Sequence, residues 1–151
     1  MNGKVVYIFV ARQAGDPMLA MAEVVAMADI GLEGDRYASD KGSWSKSKKP
    51  VKRHVSLIEQ EVIDRIGTLS PQDTRRNIVV RNFPLNGLIG KEFIVGHTRM
   101  LGVELCDPCQ RPSKLSGKPG FETDFKNYGG LRAEILSNGI IKIDDEIYLI
   151  P

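Results

Sequence analysis

Both cysteines of the chain fall in one stretch, Leu105-Cys106-Asp107-Pro108-Cys109-Gln110-Arg111-Pro112, spaced C-x-x-C. Arg111 follows the second cysteine by two residues. A thiol beside fixed positive charge shifts towards thiolate, the form that attacks electrophiles and binds soft metals. Three further arginines stand where they could supply such charge: Arg36 in Gly34-Asp35-Arg36, and the pair Arg75-Arg76 ahead of Asn77. Guanidinium groups hold phosphate through two parallel N–H bonds and stay charged at every relevant pH.

Three chemistries use a thiol pair of this kind. A structural zinc site takes four Cys or His ligands. The chain offers Cys106, Cys109, His54 and His97, so zinc would consume every candidate, and neither histidine has finger spacing. A dithiol redox pair would place the first thiol at a helix N-terminus within a βαβ pattern. Pro112 and Gly117 discourage a long helix here, and hairpin signals follow. The third chemistry is a single soft thiolate, as metal ligand or sulfur carrier, with Arg36, Arg75, Arg76 and Arg111 gathering an anionic group. Cys106 ends an apolar run and reads equally well as a small buried hydrophobe. Cys109, in a polar loop flanked by prolines, is the candidate reactive sulfur.

The elements that must position these groups read as short strands. Lys4 to Ala11 is rich in β-branched and aromatic residues. Met18 to Ala28 fits a strand better than a helix. Gly31 to Ala38 carries two glycines three apart and reads as a hairpin with a charged tip, or as a turn placing Asp35 and Arg36 beside a ligand. Asp40 to Arg53 is a loop with Trp44 at its middle and the cations Lys41, Lys46, Lys48, Lys49, Lys52 and Arg53. It is a solvated surface, a lid, or a basic docking segment. Arg53 to Ile58 alternates as a strand, with Val55 and Leu57 on one side and His54 and Ser56 on the other. A lone histidine on a strand is most simply a hydrogen-bonded structural residue. Glu59 to Ile66 reads as a short helix stopped by Gly67.

Ile78 to Val80 reads as a buried strand. Glu92 to Val95 and Met100 to Leu105 flank Gly96-His97-Thr98, and Leu131 to Leu136 and Ile140 to Ile143 flank Ser137-Asn138-Gly139, so both pairs predict hairpins. The helical segments expected of parallel βαβ units are missing from the pattern. The sequence therefore predicts a mainly β domain spanning residues 1–151, a closed or nearly closed barrel with a few small helices.

Composition is that of an ordinary soluble domain, with 151 residues, 42% hydrophobic and 26% charged. A net charge of +2 gives no argument for nucleic acid or for a membrane surface. The N-terminal apolar run is too short to span a bilayer and lacks a cleavage site, so a cytoplasmic location with reduced thiols is expected.

Taken in order, Gly31-Leu32-Glu33-Gly34-Asp35-Arg36, Val55-Ser56-Leu57-Ile58, Arg75-Arg76-Asn77-Ile78, Leu88-Ile89-Gly90, Phe93-Ile94-Val95-Gly96, Cys106 to Cys109 and Gly129-Gly130-Leu131-Arg132-Ala133 resemble the MOSC domain, the molybdenum cofactor sulfurase C-terminal domain. The resemblance covers about Gly31 to Ile150. It implies a barrel like the one inserted in pyruvate kinase, and binding of the pyranopterin molybdenum cofactor or transfer of sulfur to it. It implies Cys109 as metal ligand or persulfide carrier. It implies that Arg75 and Asn77 contact the cofactor; Arg36, His54, Ser56, Arg76 and Arg111 are further candidates to hold it. Its partners would be a cysteine-desulfurase-type sulfur donor or molybdenum cofactor biosynthesis proteins. Pyridoxal phosphate would be confined to a separate desulfurase, since no desulfurase domain is recognised in this sequence, nor the second barrel of amidoxime-reducing relatives. The alternatives are a molybdenum-dependent reductase of N-hydroxylated compounds, a thiol-disulfide protein, and a non-catalytic module that docks through residues 41–53.

Overall fold

The structure, a computed structural model, describes residues 2–38, 54–106 and 128–151. Among them the strands are β1 (Gly3–Val10), β2 (Leu19–Met21), β3 (Glu23–Met27), β4 (Gly31–Leu32), β5 (Val55–Glu59), β6 (Ile78–Arg81), β7 (Glu92–Val95), β8 (Thr98–Leu105), β9 (Leu131–Ile135), β10 (Gly139–Lys142) and β11 (Glu146–Leu149). One helix, α1, spans Gln60–Ile66.

Seven strands close on themselves in the order β1-β6-β5-β9-β8-β7-β11, and β11 returns to β1. The barrel predicted from the strand pattern is thus formed and closed. Period-two alternation puts one set of side chains inside: Val5, Leu57, Ile78, Phe93, Met100 and Leu131 are all fully buried. A barrel this small is filled by its own side chains and leaves no channel. β2 extends the sheet beyond β1, and β10, β3 and β4 form a separate three-stranded sheet.

A second apolar cluster lies outside the barrel wall. Phe9, Ile58 and Val79 face outward from β1, β5 and β6 and meet Val62 and Ile63 of α1. The helix ends where the sequence predicts, with Gly67 in the left-handed region and its N–H donating to the Ile63 carbonyl.

Two expectations need correction. β5 and β6 pair in parallel, joined by α1 and a 3-10 turn, Pro71–Thr74. One crossover with a helix of two turns is enough for a parallel pair, and its brevity hid it in a sequence of hairpin signals. Ser137-Asn138-Gly139 does not close a hairpin either. β9 stays in the barrel while β10 pairs with β3 in the second sheet. The Asn138 side chain accepts the Ala28 N–H at 2.7 Å, so it anchors the passage between sheets instead of turning one strand back on the other. The Gly96-His97 hairpin between β7 and β8 forms as predicted, with Gly96 at a φ of 62°. Among the described residues no helix is long and apolar enough to cross a membrane.

Candidate functional site

The inward residues of β5 and β9 are Val55, Leu57, Leu131, Ala133 and Ile135. Alternation therefore turns Ser56 and Arg132 to the outer face. The two stand directly opposite each other across β5–β9, and Arg132 stands opposite Glu104 across β8–β9. Residues so opposed hold their Cβ atoms about 4.5–5.5 Å apart.

Glu104 reaches this face through a fault in β8. Met100 points inward, and plain alternation would send residue 104 into the core as well. The register shifts between Gly102 and Glu104, which inserts one extra residue opposite β9. Leu105 then packs against the core, and Glu104 meets Arg132, its carboxylate 3.6 Å from Nε. Just before the fault, Gly102 lets the Leu88 carbonyl approach closely, where a side chain would collide.

On the other side of Ser56 stands Asn77, at the entry to β6. Asn77 Oδ1 accepts the Ser56 N–H at 3.0 Å and the Ser56 hydroxyl at 3.2 Å. The Asn77 N–H donates to Ser56 Oγ at 3.1 Å, and Nδ2 donates to the Phe9 carbonyl at 3.1 Å. Phe9 returns its N–H to the Asn77 carbonyl at 2.7 Å. A polar row thus crosses the barrel wall through Asn77, Ser56, Arg132 and Glu104.

Three arginines are buried among the described residues: Arg36 at 5%, Arg76 at 7% and Arg132 at 7% exposure. Burial of a charge is costly unless it is paired and hydrogen-bonded. Arg36 Nη1 lies 3.1 Å from Asp35, its Nη2 donates to the Arg75 carbonyl at 3.2 Å, and its guanidinium covers the Tyr37 ring at 4.8 Å. Asp35 also accepts the N–H groups of Ala11 and Tyr37, so this turn is welded to the end of β1. The charged tip of the sequence reading is therefore a buried brace. Arg75 sits in the left-handed region with φ of 60°, which aims its carbonyl at Arg36. Arg76 donates from Nε to the Gly129 carbonyl at 2.8 Å and from Nη1 to the Thr74 carbonyl at 3.2 Å. It joins the turn before β6 to the stretch that enters β9.

His54 is buried, and its Nδ1 accepts the Ile135 N–H at 2.8 Å. That is the structural hydrogen bond expected of a lone strand histidine, and it leaves no proton on Nδ1. Cys106 is a free thiol, 2% exposed, with its N–H on the Gly130 carbonyl at 2.7 Å. It closes β8 as a small buried hydrophobe. Cys109 and Arg111 lie outside the described residues, as do Lys41 to Arg53 and Trp44. Among the described residues no three His, Cys, Asp or Glu side chains gather as a metal site.

Sequence reasoning passed over Arg132 and Glu104 as site residues. An arginine between Leu131 and Ala133, in an otherwise apolar strand, was the available signal for the first. The second had none, because the extra residue in β8 breaks the alternation that would have revealed its face.

The fold is that of a small closed-barrel domain in which, among the described residues, Asp35, Arg36, Arg76 and Arg132 are buried. The chain belongs to the MOSC domain family, whose model matches residues 49–148. A solved structure of the YuaD protein from Bacillus subtilis is similar over 97% of this chain and 94% of its own, with a TM-score of 0.80 and 18% identity. YiiM from Geobacillus stearothermophilus is similar over 99% of this chain and 75% of its own, at TM-score 0.72 and 12% identity. YiiM from Escherichia coli is similar over 100% and 70%, at TM-score 0.66 and 16% identity. A search of curated proteins finds no match.

Proposed function

We propose that this protein binds the molybdenum cofactor and carries sulfur to it, or ligates its metal, through the thiolate or persulfide of Cys109. The observation that carries the reading is that a chain of this family buries Arg36, Arg76 and Arg132 among its described residues. Membership in the family supports the cofactor, and arginines are the side chains suited to a phosphate.

The donor set suits the group. Guanidinium and backbone N–H groups recognise a phosphomonoester, while a thiolate suits a metal that takes sulfur ligands. Arg75 and Arg76, with Arg36 bracing the turn that carries them, would hold the phosphate. Arg111 would lower the Cys109 thiol pKa by favouring its anion. When bound, the cofactor supplies a metal centre for sulfur or oxygen transfer. Ser56 and Asn77 act from behind, fixing β5 against β6 so that Arg76 keeps its place. His54 does the same at the other end of β9.

The test is purification from a cofactor-producing host, with molybdenum and released pterin assayed together. The expected result is both in the wild type, and a persulfide on Cys109 after incubation with a cysteine desulfurase and cysteine. Absence of metal and pterin, with no persulfide difference between wild type and Cys109→Ser, would refute the reading. Turnover of an amidoxime by the loaded protein would assign it to the reductases of N-hydroxylated compounds instead of the sulfur carriers.

A further inference from the structure

We infer that two copies of this chain pair face to face through the outer side of the β10-β3-β4 sheet, with Glu23 of each copy seated over Lys142 of the other. The partner is a second copy because this face carries its own complement in charge.

The inner side of that sheet is already covered. Val24, Ala26, Leu32 and Ile141 are buried and belong to the apolar cluster of the barrel. Alternation then turns Glu23 and Val25 of β3, and Ile140 and Lys142 of β10, to the outer side. The solvated side of a sheet is ordinarily polar. Here Val25 and Ile140 stand directly opposite each other and remain 38% and 44% exposed. The neighbouring pair on the same side is Glu23 and Lys142, both exposed and also directly opposite. Among the described residues neither side chain has an ion pair or a hydrogen bond. Glu33, whose N–H donates to the Val25 carbonyl at 2.9 Å, ends the row at the rim.

A two-fold axis in the plane of the contact, parallel to the strands and midway between β3 and β10, sets each β3 over the other copy's β10. Residues opposite in the register share one level along that axis. Glu23 therefore lies over Lys142 of the partner subunit, and Val25 over Ile140 of the partner subunit. Each contact occurs twice, as an isologous interface requires. The four charges alternate in sign around a square, and the aliphatic side chains meet beside them. Stacked sheets lie about 10 Å apart, a gap that Glu and Lys side chains span together. A patch of this size is smaller than an obligate interface, so the pair exchanges with single chains.

The experiment is sedimentation equilibrium of the full chain at concentrations from about 5 to about 500 µM. The expected result is a weight-average mass that climbs from one chain towards two, less steeply at high salt. Glu23→Lys and Lys142→Glu each set like charges face to face and are expected to weaken association about tenfold. An equimolar mixture of these two variants is expected to associate about as well as the wild type, because every charge then faces its opposite. Val25→Asp is expected to abolish association. Thermal melts accompany each variant, and one that unfolds is replaced by Glu23→Gln, Lys142→Gln or Val25→Thr, for which a smaller loss is expected. A wild type that stays single at every concentration leaves the face for a different protein and overturns the inference. Association that no variant weakens belongs to another surface and also overturns it. Weakening by both charge reversals that their mixture does not repair overturns the placement of Glu23 over Lys142, and the inference with it.

Discussion

Asn77 and Ser56 meet through bonds of 3.0–3.2 Å that use both backbone and side chain of each partner, whereas Arg132 meets Glu104 at 3.6 Å across a bulge. The two pairs are neighbours in one row, a strand apart. The neutral pair has a partner for every polar group and sits at 0–3% exposure. The charged pair reaches towards solvent through Glu104, whose side chain is 28% exposed. Buried neutral groups that satisfy each other hold a fold in one arrangement. The row therefore divides into a neutral part that fixes β1, β6 and β5, and a charged part that links β9 to β8.

The first way to break this comparison is to move the strand that carries it. Gly130 has a φ of 109°, and a side chain there would collide with the Leu57 carbonyl of β5. Gly130→Ala should cost about 4 kcal/mol by strain and overpacking combined. A chemical denaturation curve checks this, and both halves of the row should loosen together. Asn77→Ala comes next. It removes the acceptor of the Ser56 N–H and hydroxyl and the donor to Phe9, leaving buried groups unpaired, at about 3 kcal/mol. The same curve should show a lower midpoint with an unchanged slope. Ser56→Ala should cost about 1 kcal/mol, since the backbone bonds between residues 56 and 77 remain.

The smallest effect sharpens the contrast with a third kind of polar group. Glu59 ends β5 half-buried, and burial raises its pKa above the ordinary value, helped by the nearby Glu61. The Leu85 N–H and Arg65 oppose the rise. A folded-state pKa above the unfolded one gives stability that is complete in acid and is lost as pH rises through the folded value. At neutral pH the ionised Glu59 is therefore a liability. Glu59→Gln should stabilise by less than about 1 kcal/mol at neutral pH. The gain should vanish below pH about 4, where both side chains are uncharged. Melting temperatures across that pH range would show it.

Much of the barrel was legible because β-branched runs and their turn residues mark strands directly. The Gly96-His97 turn, the α1 stop at Gly67 and the inward set of β5 all follow from such local signals. Connectivity was less legible. Asn138-Gly139 carries hairpin chemistry, yet the partner of β10 is β3, more than a hundred residues earlier in the chain, and only tertiary packing decides between them. The parallel β5–β6 pair escaped notice for the same reason. At the site, Arg36, His54, Ser56, Arg76 and Asn77 were all singled out from the sequence, and all are buried. What residue types could not tell was which of them brace the scaffold and which face a ligand. Glu104 was hidden by the bulge, a change of phase with no residue signature beyond Gly102.

On the proposed function, Arg76 holds the phosphate of the molybdenum cofactor and Cys109 its metal. The most direct measurement is the molybdenum and pterin content of the wild type, Arg76→Gln and Cys109→Ser, purified side by side from a cofactor-producing host. The account predicts metal and pterin together in the wild type, loss of both in Arg76→Gln, and loss or weakened retention of metal in Cys109→Ser. A wild-type protein free of both, or equal loading in all three, would contradict it.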